Sequence, residues 1–414
     1  MIDLEALRAA RWFAGKHRRV AAVTEAGAFG GALALVDVAY GDGGAPERYL
    51  LPAEGLAWGA LLATLARAPL DGAAGRIELR PAPALADLLP APGAAEHVPS
   101  TDQSNTLTVI GDRLLIKAYR KLESGIHPEV ELGAALVGTA APVPTHAGSL
   151  HHVAPGGADT TIALLQEFVP GASSGWEAPI EAIAAWLRAG SAAPPAALLA
   201  PFAAAGTAAA ALHGALRDRL GAHPAPAATG AAWRAAALAA LDEAAALDPE
   251  AAAAAPAIRQ RLAALDHAGA TPLQRIHGDL HYAQLLQTPA RGVLIIDLEG
   301  DPTAPLSDRR APDTPLRDLA ALLRSIDHLG AAAARRAPGS DPTTFVASAT
   351  AATLGAYEHR ASAPVDRPLL AALELAAECR ELVYALRTLP EWAYAPRAGL
   401  RRLLRAPQHL RDTP

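Results

Sequence analysis

Arg275-Ile276-His277-Gly278-Asp279-Leu280-His281-Tyr282-Ala283-Gln284, followed by Val293-Leu294-Ile295-Ile296-Asp297, is the stretch from which the rest of the chain is read. Asp279 and Gln284 stand five positions apart, the interval at which phosphoryl-transfer loops place a base aspartate and an amide ligand for magnesium. The apolar run from Gly292 to Ile296 reads as a buried strand. It delivers Asp297-Leu298-Glu299-Gly300, and with it a second carboxylate where such enzymes hold a metal–phosphate complex. Base, amide and metal-binding acid therefore recur in the order that phosphoryl transfer needs. A Gly-Asp pair alone is common turn chemistry, so the reading rests on the three together.

Composition narrows the setting. The 414 residues suffice for two or three domains with a sizeable core. A formal charge of −6, with no basic stripe, points away from nucleic acid. The single cysteine, Cys379, excludes an internal disulfide framework and suits a reducing cytoplasm, where it serves as a small apolar packing residue. Met1-Ile2-Asp3-Leu4-Glu5 lacks the basic flank and apolar core of a signal peptide. No uninterrupted apolar stretch approaches the roughly 18 residues that span a bilayer. A cytoplasmic monomer with no membrane or nucleic-acid partner is expected.

Outward from the central stretch, three regions are expected. Residues 1–88 read as an α+β cap, with strands over 33–38 and 48–51 around the turn Gly41-Asp42-Gly43-Gly44 and a helix over 56–66. Residues 89–171 read as a strand-rich nucleotide lobe. There Gly111-Asp112 is a hairpin signal between strands 107–110 and 113–119. Gln103, Ser104, Asn105 and Thr106 precede the first strand, offering hydroxyl and backbone N–H groups to a triphosphate. Lys117, late in the second strand, stands where a lysine clamps the α- and β-phosphates. Its partner is expected in the helix opened by His127-Pro128: Glu131 is preferred, with Glu129 as the alternative. Backbone groups from Gln166 to Phe168, at the end of the next strand, are expected to hydrogen-bond adenine.

Residues 172–414 read as a helical lobe. Leu212, Leu216 and Leu220 recur at helical spacing, and His213 among them is expected to pack rather than ligate. Thr314 is a credible N-cap for the helix beginning at Pro315. Asp318 in its first turn is a candidate brace for the catalytic loop, with a surface salt bridge as the equal alternative. A C-terminal helix over 369–387 carries Glu374, Glu378, Glu381 and Tyr384, and Pro390-Glu391-Trp392 ends it.

These residues resemble a known family. His277-Gly278-Asp279-Leu280-His281, Gln284 and the run from Asp297 through Arg309-Arg310-Ala311-Pro312-Asp313-Thr314 to Arg324-Ser325 are similar to actinobacterial maltokinase-like kinases. These belong to the wider aminoglycoside-phosphotransferase-like superfamily. The resemblance implies a bilobal α+β kinase-like fold with an N-terminal cap, using ATP and Mg2+ to phosphorylate a sugar hydroxyl. It departs at the C-terminal helix. Where maltokinases carry E-L-D-K-x-x-Y-E-x-x-Y-E, this chain retains Glu381, Tyr384 and Trp392 but has Ala376, Ala377, Arg380 and Ala385 in place of an Asp, a Lys, a Tyr and the final Glu.

Losing polar side chains from the acceptor wall weakens disaccharide recognition. A related group of the same fold phosphorylates glucosamine. Glu381 suits its ammonium, and Trp392 offers a ring face for stacking. The expected reaction is in-line transfer to a sugar hydroxyl, O6 of glucosamine first. Asp279 is the base, Gln284 and Asp297 hold Mg2+, Glu299 is a further metal or acceptor ligand, and Glu381, Trp392 and Tyr384 line the acceptor site. Maltose 1-phosphorylation is the alternative, followed by aminoglycoside phosphorylation. A pseudokinase that only binds nucleotide or sugar is the non-enzymatic rival.

Overall fold

A short helix, α1 (Leu4–Ala9), leads into antiparallel strands β1 (Val20–Phe29), β2 (Leu33–Tyr40) and β3 (Glu47–Pro52) in the computed structural model, which describes residues 4–10, 12–99, 105–361 and 363–405. Along β2, Leu33, Leu35, Val36, Val38 and Tyr40 are buried. After helix α2 (Trp58–Leu65) come β4 (Leu70–Gly72), β5 (Gly75–Pro81), helix α3 (Leu85–Leu88) and β6 (Glu96–His97). The hairpin β7 (Thr106–Ile110) and β8 (Leu114–Ala118) follows. Its turn residues Gly111 and Asp112 both take positive φ, +57° and +52°, which few residue pairs other than Gly with Asp or Asn tolerate. Strand β9 (Lys121–Leu122) completes the first sheet in the order β1-β2-β3-β9.

Helix α4 (Pro128–Ala135) and strands β10 (His146–Val153) and β11 (Asp159–Glu167) finish this unit, whose larger sheet runs β4-β5-β10-β11-β8-β7-β6. That order revises the expected boundary at residue 88. Strands β4 and β5 of the supposed cap lie in one sheet with β7 and β8. One core joins Phe29, Leu35, Trp58 and Ile77 to Ile110, Ile116, Leu150 and Leu164. The chain instead divides into one unit of residues 1–137 and 144–170 and another of 138–143 and 171–414.

Strand β10 was not legible from apolar alternation, because His146, Ser149, His151 and His152 are all buried in it. The sheet accommodates most of that polarity with hydrogen bonds. His151 lies 2.8 Å from both Ser149 Oγ and Asp159 Oδ1, Arg80 reaches Asp159 at 2.6 Å, and His152 Nε2 donates to the Ala74 carbonyl at 2.8 Å.

The second unit begins with β12 (Ser173–Ser174) and helices α5 (Glu177–Ala189) and α6 (Ala196–Leu220). Then come β13 (Ala222–Pro224), α7 (Thr229–Leu247), α8 (Pro249–Leu262), β14 (Pro272–Gln274), β15 (Leu285–Thr288) and β16 (Gly292–Ile295). Helices α9 (Leu306–Arg309), α10 (Pro315–Arg336), α11 (Thr343–Ala361), α12 (Arg367–Thr388) and α13 (Tyr394–Arg405) follow. Helix α6 is long and apolar enough, by length and mean hydropathy, to cross a bilayer, although Pro201, Gly206 and Thr207 interrupt its apolar run. Phe202, Ala209, Leu212 and Leu216 on it are nevertheless buried in the protein interior. β15 and β16 form a hairpin with register Leu285↔Ile295, which brings the two ends of the central stretch together.

Candidate active site

In the first unit, Lys117 sits near the end of β8, with its ammonium 2.8 Å from Oε2 of Glu129 in the first turn of α4. This corrects the expectation that Glu131 is the partner. Successive helical residues are about 100° apart, so Glu129 and Glu131 project about 200° apart and only one can face β8. Pro128 opens the helix, and the His127 ring caps it by accepting the Glu129 N–H at 3.4 Å. Tyr119, two residues beyond Lys117, donates its hydroxyl to the same carboxylate oxygen at 3.0 Å and stacks on His127 at 3.8 Å. The glutamate is therefore held by a cation, a phenol and the helix cap.

The other nucleotide expectations fare differently. Gln103 and Ser104 lie outside the described residues. Asn105 is half-buried at a bend, and Thr106 begins β7 with its hydroxyl accepting from Arg120 Nε at 2.6 Å. Gln166 is paired in β11 against Leu115 and His146. The N–H of Glu167 donates to Thr145 and that of Phe168 to Arg113, both at 2.8 Å. Those two donors are therefore engaged within the protein.

In the second unit, the loop between β14 and β15 is pinned from beneath. Asp318, 1% exposed, accepts the N–H groups of His277 and Gly278, each at 2.8 Å, and lies 3.0 Å from Nε2 of His213. Burial alone would raise the Asp318 carboxyl, but the His213 hydrogen bond and charge, His277 and the Gly278 N–H hold it below the usual range. The expected brace is thus present, and the surface alternative is excluded. His213 is packed, as expected, and its other nitrogen meets the Tyr357 hydroxyl at 2.9 Å.

His277 locks the loop from above. Its Nε2 meets the Ile296 carbonyl at 2.9 Å, so that nitrogen carries the proton and Nδ1 accepts the Asp279 N–H at 3.2 Å. Gly278 has φ +88°, and a Cβ there would lie 3.0 Å from the Gly300 Cα, so this crossing of loops needs glycine. The Asp279 carboxylate is partly exposed, 3.6 Å from Nε2 of His281.

Gln284 and Asp297 meet across the hairpin: Nε2 donates to Oδ2 at 3.1 Å. Asp297 has φ +66°, a left-handed conformation that costs a non-glycine residue roughly 1–3 kcal/mol. The surrounding pairing overrides that preference, with the Ile296 N–H donating to the Gln284 carbonyl at 3.0 Å. The pair presents hard oxygen donors from an amide and a carboxylate. Among the described residues no cluster of three or more His, Cys, Asp or Glu side chains could hold a metal. An amide oxygen and a carboxylate are donors of the kind that suit magnesium, which takes one or two protein ligands and completes its shell with water and phosphate oxygens. Glu299, the expected further ligand, turns its carboxylate to Arg309 at 3.7 Å.

The residues expected at the acceptor site lie on or next to helix α12. Glu381 on α12 forms an ion pair with Arg324 on α10. Beside Arg324, the Ser325 hydroxyl accepts the Tyr282 N–H of the catalytic loop at 3.2 Å. Tyr384 is half-exposed on α12. Trp392 packs against Trp176, His328 and Tyr394 with centroids 5.7, 5.8 and 5.3 Å away. Sequence reasoning placed Arg324 and Ser325 in the run that carries the resemblance but gave them no role, and it missed Tyr119 and His328. Their partners lie far away in the chain or, for Tyr119, become apparent only once the helix rotation is known.

No protein-family profile matches the sequence. The chain is 33% identical to a glucosamine kinase of Streptacidiphilus jiangxiensis over 78% of its length and 76% of that protein's. It is 31% identical to a glucosamine kinase of Mycolicibacterium smegmatis, covering 74% and 78% respectively. A solved glucosamine kinase in complex with glucosamine, ADP and inorganic phosphate superposes with a TM-score of 0.73 at 29% identity, over 95% of this chain and 96% of that one. A second glucosamine kinase structure, crystal form B, gives 0.72 at 28% over 97% and 98%. By sequence and by fold, the chain belongs to the glucosamine kinase family.

Proposed function

We propose that this protein transfers the γ-phosphate of ATP to D-glucosamine, at O6, giving glucosamine 6-phosphate. The observation that carries the reading is the Gln284–Asp297 contact at 3.1 Å, on loops that His277 and Asp318 lock beside Asp279. Asp279 orients the sugar hydroxyl and takes its proton as the bond to phosphorus forms. Gln284 and Asp297 would hold Mg2+, which when bound neutralises charge on the phosphate oxygens. Lys117, fixed by Glu129, clamps the nucleotide phosphates. Glu381 attracts the substrate ammonium while Arg324 keeps its carboxylate in place, and Trp392 offers its ring to the sugar. Because the transition state is loose, positioning and charge neutralisation supply most of the acceleration.

The proposed setting is the cytoplasm, as a monomer. Burial pushes the Cys379 thiol up to about 12, so it carries no thiolate chemistry there.

The test is ATP consumption by the purified protein with Mg2+ and, in turn, glucosamine, glucose, maltose and kanamycin. Turnover should be fastest with glucosamine, with the phosphate found on O6 by NMR. Faster turnover of maltose or kanamycin would overturn the substrate assignment, and no turnover with any acceptor would favour a binding module.

A further inference from the structure

His328 belongs to α10 and has no role in the reaction as described so far. Its side chain is 4% exposed, and Nε2 lies 3.0 Å from Oε2 of Glu378 on α12, which is 0% exposed. The ring stands edge-on to Trp392, with centroids 5.8 Å apart and planes at 86°. Trp176 and Tyr394 also touch the indole, but both rings are partly exposed. Only His328 is anchored in the interior.

The anchor is unusual for a buried acid. Glu378 Oε1 has no hydrogen-bond partner among the described residues. The neighbouring cations are already engaged: Arg324 pairs with Glu381, and Arg402 with Asp327 and Glu374. Space for the carboxyl exists because residue 399 is glycine; a Cβ there would overlap Oε1. Burial, with Asp327 nearby, pushes the Glu378 carboxyl well above its usual range, and burial with Arg324 pulls the His328 ring down to about 3. Both shifts disfavour the charged form of their group, and a hydrogen bond of 3.0 Å joins the two side chains. Such a contact adds little Coulombic energy, and its consequence is directional: it fixes the plane of a ring whose edge meets Trp392.

We propose that His328, held by Glu378, is a positioning residue that sets the plane of Trp392 against the acceptor sugar. The proposal rests on the reading of Trp392 as the sugar-facing ring. It deepens that reading by naming what orients the indole.

The test is steady-state kinetics of the full chain with glucosamine and ATP. Edge-to-face contacts are worth enough to expect about a 2- to 12-fold rise in KM for glucosamine in His328→Leu, with KM for ATP unchanged. Glu378→Leu should behave alike. Glu378→Gln should stay near wild type, because an amide can also hydrogen-bond the imidazole. If His328→Leu does not fold, His328→Gln retains a polar partner for Glu378 while removing the ring edge, and should raise the same KM. Trp392→Ala is the reference variant. If it raises KM for glucosamine while the His328 variants do not, the positioning role is overturned and the acceptor reading survives. If Trp392→Ala itself leaves that KM unchanged, the acceptor reading falls and the proposal falls with it.

Discussion

Lys117 and Glu129 meet at 2.8 Å inside the first unit, with side chains only 9% and 4% exposed. Removing one member of such a pair leaves the other as an uncompensated buried charge, at a cost of about 3–5 kcal/mol. Glu129→Ala should lower the urea midpoint accordingly and raise KM for ATP. Glu131→Ala should change stability by less than about 1 kcal/mol and leave that KM alone. Equal effects from the two substitutions would refute the assigned pairing.

Asp318 ties the start of α10 to the catalytic loop through two backbone N–H groups and His213. Hydrogen bonds to a charged group are each worth about 1.5–3 kcal/mol, so Asp318→Ala should destabilise by at least that much and depress kcat. Its folded-state carboxyl is lowered, so it contributes stability above the unfolded value, near 3.9, that is lost as pH falls below it. Urea unfolding between pH 6 and pH 3 should show a shallower acid limb in Asp318→Asn than in wild type.

Asp279 is assigned the proton of the acceptor hydroxyl. Asp279→Asn should lose about 10²- to 10⁴-fold in kcat and keep ADP affinity within about twofold, because the change removes a base and no nucleotide contact. Calorimetric titration with ADP alongside single-turnover kinetics checks both halves. Near-native turnover would remove Asp279 from the mechanism.

His146 on β10 is buried, its Nδ1 has no hydrogen-bond partner among the described residues, and burial pulls the ring down to about 4. Between pH 6.5 and about 4 the unfolded chain takes up a proton that the folded unit refuses. Stability present above pH 6.5 therefore falls as pH drops through this window, by up to about 1.4 kcal/mol per pH unit. His151, also lowered by burial, acts in the same direction, whereas the raised Glu378 carboxyl opposes it. His146→Leu should flatten the slope by the histidine's share, measured by urea unfolding at pH 7, 6 and 5. An identical slope in the variant would show that this ring is not responsible.

How legible each feature was follows from how local its cause is. The Gly111-Asp112 turn needs only the φ preferences of two adjacent residues, and it forms where the sequence places it. His277, Asp279, Gln284 and Asp297 were readable because one hairpin, β15–β16, joins them over a short span of chain. Strand β10 was hidden because its buried histidines break apolar alternation, and they become tolerable only once Asp159, Arg80 and the Ala74 carbonyl arrive to bond them. Of the backbone groups from Gln166 to Phe168 expected to meet adenine, the N–H groups of Glu167 and Phe168 are occupied by Thr145 and Arg113, a pairing not written in their side chains.

By itself, then, the sequence determined that His277, Asp279, Gln284 and Asp297 share one loop and hairpin, and the family to which they point, because spacing within a loop and a hairpin is a property of contiguous residues. Only the tertiary structure decided which glutamate meets Lys117, that Asp318 holds the loop from below, and that Glu378 reaches His328 behind Trp392. Those choices depend on how helices are rotated and packed. That rotation is set by burial summed over the whole core, so no short run of residues encodes it.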